Sequence, residues 1–132
     1  MSRQRQLSVS LLLLALLVTG NCQADPRSHY LIHCMGCHLA DGSGQPPDVP
    51  AFGTDTLALS QSPGGRAYLV QVPGASQAPL DDSELAGVLN WILGDLVQAA
   101  QYDAFTTEEI SRHRSTVLLN PVGSRAALLA TD

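Results

Sequence analysis

Two cysteines and a histidine stand in the order Cys34-Met35-Gly36-Cys37-His38, and this short segment constrains the chain more than any other. The two thiols lie about one helical turn apart, so each can form a thioether to a vinyl group of the same haem. The adjacent His38 then lies under the ring and offers an imidazole nitrogen to the iron. This Cys-x-x-Cys-His spacing is the attachment signature of a c-type haem. The sequence therefore predicts one covalent haem per chain, with His38 as the proximal iron ligand.

Two other kinds of site use the same residue types. A redox dithiol of Cys34 and Cys37 normally lies in a strand–helix context of thioredoxin type, and no strand-rich pattern precedes the motif. A zinc site would need a second ligand cluster, which the sequence lacks, and His29 or His33 would be a crowded fourth ligand beside His38. Haem attachment is therefore favoured over both alternatives.

The flanks of the motif predict a helix followed by a tight loop. Residues 28–33 form a helical lead-in with Tyr30 and Cys34 on one face, and the glycines and prolines of residues 42–50 end the helix close to the ring edge. The stretch from Tyr30 to Gly44, YLIHCMGCHLADGSG, resembles the haem-binding start of the small single-haem c-type cytochromes of class I.

A second helix is predicted after Leu80. Asp81 with Glu84 forms a capping-box pattern, and Leu80 with Leu85 can form a hydrophobic staple. Apolar residues then recur at helical spacing, at Leu85, Val88, Leu89, Ile92 and Leu93. The stretch LDDSELAGVLNW is similar to the closing helix of the same cytochrome class. Together the resemblance spans residues 28–97 and implies an all-α, class I cytochrome c-like fold around one haem.

Class I cytochromes usually place a distal methionine in the loop before the closing helix, and this chain has none there. Met1 lies in the predicted leader and Met35 lies inside the attachment motif. The loop of residues 71–79 contains no methionine, histidine or cysteine. Histidine–methionine ligation is therefore excluded for the monomer, and the reduction potential should be lower than in relatives that have it.

Three arrangements remain for the sixth iron position. The iron is five-coordinate or water-bound, or it holds a weak ligand such as Gln77, or a remote histidine reaches it. Among the histidines His113 is favoured, because His29 and His33 closely precede His38 and are expected on the proximal side.

Three further residues are candidates for contacts with the haem. Arg66, in a predicted short helix of residues 64–72 stopped by Pro73-Gly74, could pair with a haem propionate or be a solvated surface arginine. Tyr68 is expected to line the haem crevice as part of the core. Trp91 lies beside the apolar stripe of the closing helix, as plain core or as a haem contact.

The chain continues beyond the cytochrome-like region as an extension of residues 98–132. Thr106 with Glu109, and Phe105 with Ile110, repeat the capping-box and staple pattern, which predicts a helix from Thr107 to Arg114. Pro121 then suits the start of a last short helix that carries residues 126–129. This extension is expected to wrap the haem domain, to cover its vacant face or to dock a partner.

The first 24 residues are predicted to be a secretory signal peptide. Two arginines lead into an apolar run over residues 7–18, which is shorter than the roughly 20 residues of a spanning helix. Cleavage after Ala24 would place Cys22 at the −3 position. Two alternatives remain: Cys22 as the lipidated first residue of a lipoprotein, for which Asn21 is a poor fit, and an uncleaved anchor. Either would put the protein at a membrane, whereas simple cleavage predicts a periplasmic location.

Charge and composition restrict the kinds of partner that the sequence predicts. The chain has no lysine and a net charge of −5, which argues against nucleic-acid binding. Loss of residues 1–24 removes two arginines and no acid, so the net charge becomes −7. This charge either steers the protein to a basic patch on a partner or simply keeps it soluble. Aromatic residues make up only 5%, which leaves little bulk for a core unless another group fills it.

The expected function is that of an exported carrier of single electrons between periplasmic redox proteins. We expect no enzyme, although an open iron would allow weak peroxidase-type activity. Two alternatives differ in kind: a haem-based binder or sensor of a small gas, and the haem subunit of a periplasmic dehydrogenase complex. The first needs reduced iron that binds CO, and the second needs a stable complex.

Overall fold

The structure, a computed structural model, describes residues 24–130, and it is helical. The predicted signal peptide therefore lies almost wholly outside the described residues, and so does Cys22. Within residues 24–130 there is no strand, only an isolated bridge between Gln45 and Val49. No helix in this range is long and apolar enough to cross a membrane. The helices are α1 Pro26–His33, α2 Met35–His38, α3 Thr54–Ser60, α4 Pro63–Gln71, α5 Pro73–Ser76, α6 Asp82–Trp91, α7 Thr107–His113 and α8 Pro121–Leu129.

Short polar side chains start most of these helices. Asp25, Ser62, Thr106 and Asn120 each accept a hydrogen bond from a backbone N–H in the first turn of the helix that follows. Such a cap satisfies one of the amide donors that a helix start leaves unpaired. The helices predicted over 28–33, 64–72 and 107–114 are therefore confirmed, with ends that move by one or two residues.

The predicted capping box of α6 is confirmed in both directions. Asp81 Oδ1 accepts from the amide of Glu84 at 2.8 Å, and Glu84 Oε2 accepts from the amide of Asp81 at 2.8 Å. After Trp91 the helix continues into one π-helical turn, Ile92–Leu96. Its closing bond runs from the amide of Val97 to the carbonyl of Ile92 at 2.9 Å.

The expectation that Pro73-Gly74 stops the helix of residues 64–72 is confirmed, but a new helix begins at the same place. Helix α4 does end at Gln71, but Pro73 is the first residue of α5. Proline suits this position because its missing N–H is one of the donors that a helix start leaves unpaired. The segment before α6 is thus partly helical rather than an irregular loop.

The core centres on α6, which packs between α1 and α7. Its side chains Leu85 and Val88 are buried together with Tyr30 of α1 and Ile110 of α7. Burial of each large apolar side chain of this kind stabilises the fold by about 2 kcal/mol. The apolar face that the spacing of residues 85–93 predicts is therefore confirmed.

Residues 98–130 pack onto the helices that precede them. Helix α7 lies against α6 and α4, and α8 lies against α4 and α3. Asn90 of α6 joins the two parts: its side chain donates to the carbonyl of Phe105 at 3.0 Å and accepts from the amide of Phe105 at 2.7 Å. Phe105 itself is buried, so the extension contributes to the same core.

Candidate functional site

The junction between α1 and α2 places the two cysteines and His38. Cys34 ends α1, with its amide bonded to the carbonyl of Tyr30 at 2.8 Å. Its own carbonyl accepts from the amides of Cys37 and His38, at 3.2 and 2.9 Å. These bonds fold the motif into a single helical turn, Met35–His38. The chain therefore presents two thiols about one turn apart with an imidazole directly after them, as the sequence predicts.

The two thiols differ in their surroundings. Within residues 24–130 neither cysteine is in a disulfide; Cys34 is half-buried against the core and Cys37 is exposed. Burial raises the pKa of the Cys34 thiol. A redox dithiol instead needs a first cysteine with a lowered pKa, because the thiolate is the nucleophile. The environment of Cys34 thus suits a thiol that bonds to a group covering it better than an exchanging dithiol.

His38 is held with one nitrogen inside the protein. Its ring is half-buried, and Nδ1 is buried without a hydrogen-bond partner. Burial lowers the pKa of His38, while the backbone carbonyl of Pro50 opposes that shift. The carbonyl of Pro50 therefore lies near the imidazole, although Nδ1 itself makes no hydrogen bond within residues 24–130. A neutral imidazole is also the form that binds iron.

Phe52 stacks on His38. Their ring centroids are 4.2 Å apart and the ring planes differ by 17°. The lone pair of an imidazole nitrogen lies in the plane of its ring, so a stacked phenyl ring covers one face and leaves the edge with Nε2 open. Phe52 therefore fixes the orientation of His38 without blocking its use as a ligand. No local pattern predicts this contact, because Phe52 lies fourteen residues after His38 in the chain.

Hydrogen bonds hold the loop of residues 39–53 close to the motif of residues 34–38. Tyr30 donates from its hydroxyl to the carbonyl of Leu39 at 2.6 Å, and the amide of Gly44 donates to the carbonyl of His38 at 3.0 Å. Gly42 and Gly44 have positive φ, 76° and 63°. A Cβ on Gly44 would lie 2.5 Å from the carbonyl oxygen of Val49. Glycine is therefore required for the loop to approach His38 as it does.

Trp91 packs against Tyr30, which lies one helical turn before Cys34. The two ring centroids are 5.0 Å apart, and the half-buried Trp91 packs on the same core as Cys34. Burial, with smaller effects of Cys34 and Asp41, raises the pKa of Tyr30 to about 12. Tyr30 is therefore a neutral hydrogen-bond donor at physiological pH.

Arg66 does not match either role predicted for it. Its guanidinium donates to both carboxylate oxygens of Glu109 and to the carbonyls of Ser60, Asp103 and Ala104. These bonds use all five N–H donors of a guanidinium. No donor remains for a haem propionate, and the side chain is not simply solvated. Arg66 instead joins α4 to the extension.

The other predicted residues are spread over the molecule. Tyr68 is buried near Arg125 of α8, where burial raises its pKa and the charge of Arg125 opposes that shift. Gln77 is exposed directly after α5. His113 is half-buried on α7, near enough to Glu109 for its charge to lower the pKa of that carboxyl. The structure thus places Trp91 close to the motif and puts Tyr68 and His113 on other helices.

His29 and His33 stack on each other within α1, with ring centroids 6.2 Å apart. Both ring nitrogens of His29 are buried without a hydrogen bond, and Nε2 lies 3.5 Å from a carboxylate oxygen of Glu84. His29 therefore faces α6, as part of the packing between two helices.

In residues 24–130 no group of three or more histidine, cysteine or acidic side chains could hold a metal ion. A c-type haem needs none, since it uses one histidine and two thioethers. Comparisons of the chain with known protein families, curated proteins and solved structures found no match.

Proposed function

We propose that the protein is an exported, single-haem c-type cytochrome that carries one electron at a time between periplasmic redox proteins. The observation that carries this proposal is the geometry of Cys34, Cys37 and His38. The three side chains follow one another within a single helical turn, and the ring of Phe52 stacks on the imidazole of His38 with 4.2 Å between the centroids. This arrangement would let two thioethers and one imidazole nitrogen reach the same haem.

Each residue of the site has a role in this proposal. Cys34 and Cys37 would hold the haem covalently, and His38 would ligate the iron. Phe52, which stacks on the imidazole, would orient it. The haem supplies a one-electron iron couple, while the chain supplies attachment, burial and orientation.

The side of the haem opposite His38 is the second part of the proposal. The loop of residues 71–79 contains no methionine, histidine or cysteine, and Gln77 is the weak candidate ligand that we consider there. Because Gln77 is exposed and makes no hydrogen bond, we expect an iron that is five-coordinate or weakly ligated. Such an iron would bind CO, so a gas-binding function is the second candidate.

Attachment of haem is the first experiment. The full chain would be expressed in a bacterium that matures c-type cytochromes, and the covalent haem would be measured as the pyridine haemochrome of the denatured protein. Cys37→Ser should leave a single thioether, which shifts the haemochrome band, and His38→Ala should lose most of the haem. His33→Ala is the matched control, since it removes a nearby imidazole outside the motif. Wild-type protein without covalent haem would refute the proposal.

Two measurements on the haem-loaded protein then distinguish an electron carrier from a gas binder. Reversible one-electron voltammetry supports the carrier. The optical spectrum of the reduced protein, before and after CO, reports the sixth position: a large shift shows an open or weakly held iron, and no shift shows a strong internal ligand. A CO complex together with slow, irreversible electron exchange would favour the gas binder.

A further inference from the structure

The side chain of Arg114, in the C-terminal extension, binds the backbone of residues 73–80. Arg114, which follows α7, donates from Nε to the carbonyl of Ser76 at 3.0 Å, and from Nη2 to the carbonyl of Ala78 at 2.5 Å. From Nη1 it donates to the carbonyl of Leu80 at 2.6 Å and to Asp82 Oδ1 at 3.1 Å. One guanidinium thus binds three carbonyls at alternate positions of a single backbone segment.

These bonds fix the backbone on both sides of Gln77. The carbonyls of Ser76 and Ala78 flank that residue directly, and the segment also has its own turn bonds from the amides of Gln77 and Ala78. The side chain of Gln77 itself is exposed and makes no hydrogen bond to another residue of the described range 24–130. The position of this residue is therefore set through its backbone, by an arginine 37 positions further along the chain.

Helix α7, which ends just before Arg114, is itself held in place by contacts of residues 105–110. Glu109 of α7 pairs with Arg66 of α4 at 2.6 Å, Phe105 is bonded to Asn90 of α6, and Ile110 is fully buried. Residues 98–114, which we call the strap, therefore connect α4 and α6 to the 73–80 segment through fixed contacts. A mobile surface helix could not hold the segment in one place, whereas this strap can.

We propose that Arg114 is a positioning residue for the sixth iron position, which it controls by holding the 73–80 segment and Gln77 in one place. This inference rests on the proposed function, in which that segment supplies the side of the site opposite His38. Release of the segment would let Gln77 and its neighbours sample several positions, so the iron would meet a mixture of environments instead of one.

The experiment compares Arg114→Gln with Arg112→Gln, a matched control that removes the same charge from an exposed position two residues earlier. Backbone hydrogen exchange of residues 75–80 is measured first. We expect exchange about tenfold faster or more in Arg114→Gln and unchanged in Arg112→Gln, since several hydrogen bonds to that segment are lost. Arg114→Lys should restore part of the protection, because an ammonium has donors but lacks the planar fork.

The second readout is CO rebinding after flash photolysis of the reduced, haem-loaded protein, well below its unfolding temperature. Wild type and Arg112→Gln should rebind in one phase, and Arg114→Gln in several phases whose rates differ severalfold. Faster exchange with unchanged CO kinetics would show a purely structural role and overturn the inference, as would unchanged exchange. Wild-type protein without haem would instead refute the proposed function itself.

Discussion

Arg66 and Glu109, 43 residues apart in the chain, form a two-point ion pair. Nε and Nη2 of Arg66 each lie 2.6 Å from a different carboxylate oxygen of Glu109. The guanidinium also lies over the ring of Phe105, with its central carbon 4.1 Å from the centroid. Both charged side chains are largely buried. A planar guanidinium suits this set of contacts because it can meet a carboxylate, carbonyls and a ring at once.

Removal of this guanidinium should destabilise the whole described fold. Arg66→Gln leaves the carboxylate of Glu109 without its partner and three carbonyls without a donor. We expect the free energy of unfolding to fall by about 3 kcal/mol, measured by urea denaturation. Arg112→Gln, which removes an exposed arginine, should change it by less than about 0.5 kcal/mol. Equal losses in the two variants would show that the Arg66 contacts contribute little.

The same pair predicts how stability depends on pH. The hydrogen bond from Arg66 lowers the pKa of Glu109 below its usual 4.5, with burial acting in the opposite direction. Because the folded pKa lies below the unfolded one, the stabilisation is fully present above about pH 4.5 and is lost as the pH falls through the folded value. Glu109→Gln should therefore cost stability at pH 7 and progressively less below pH 4.5. A cost that is the same at pH 7 and pH 3 would contradict this assignment.

The helix starts could be read from the sequence, whereas the partner of Arg66 could not. A capping residue and the amide it satisfies are three positions apart, so a local pattern such as Asp81 with Glu84 is enough to predict them. Thr106 follows the same pattern and does cap α7. Glu109, however, bonds to Arg66 instead of returning to the amide of Thr106, because the tertiary fold brings a stronger partner. Contacts between distant residues carry no periodic signal.

Asn90 should be the residue that retains the extension. Asn90→Ala leaves the buried amide and carbonyl of Phe105 unpaired, which we expect to cost about 2 kcal/mol of unfolding free energy and to speed proteolysis within residues 98–106. Asn90→Asp keeps the acceptor and loses the donor, so its effect should be intermediate. If Asn90→Ala were cut no faster than wild type, the extension would be held by apolar contacts alone.

Gly44 should be intolerant of any side chain. In Gly44→Ala the methyl group would meet the carbonyl oxygens of Val49 and Pro50, at 2.5 and 2.8 Å, on a backbone with φ of 63°. We expect a loss of about 2 kcal/mol in unfolding free energy, and a lower yield of covalent haem because the same loop carries Phe52, which stacks on His38.

Gly74→Ala is the matched control for that substitution. Its new methyl group would meet no atom within 4 Å, and alanine is the better helix former in α5. Its stability and haem content should equal or exceed those of wild type. Similar haem losses in both variants would mean that the approach of the loop to His38 does not matter for attachment.

The surface charge predicts the salt dependence of partner association. Three of the five arginines in residues 24–130 are used in ion pairs with acids of the same chain: Arg66, Arg114 and Arg125. The remaining acids, such as the exposed Asp41 and Asp48, leave an acidic surface beside the motif. Association with a partner that has a basic patch should slow as salt increases, measured as the electron-transfer rate between 20 and 300 mM salt. A rate independent of salt would rule out electrostatic steering.

The candidate site shows a similar division between local and distant information. The spacing of Cys34, Cys37 and His38 is local, and the structure folds it as a single helical turn. Pro50 and Phe52 reach His38 only because the loop doubles back at two glycines of positive φ, which a glycine-rich stretch suggests without fixing its path. No pattern in the sequence predicts the contacts of Arg114, because arginines are common at the exposed C-terminal ends of helices.

The position of Arg114 in the chain has a consequence for the order in which the molecule is completed. Arg114 lies 32 to 38 residues after every group that it binds. A chain that is made, or moved across a membrane, from its N-terminus therefore presents Cys34, Cys37 and the 73–80 segment before the arginine that closes over that segment. Until then none of the hydrogen bonds from Arg114 to that segment can form. If the proposed haem is attached before the chain is complete, it therefore meets a segment that Arg114 does not yet hold.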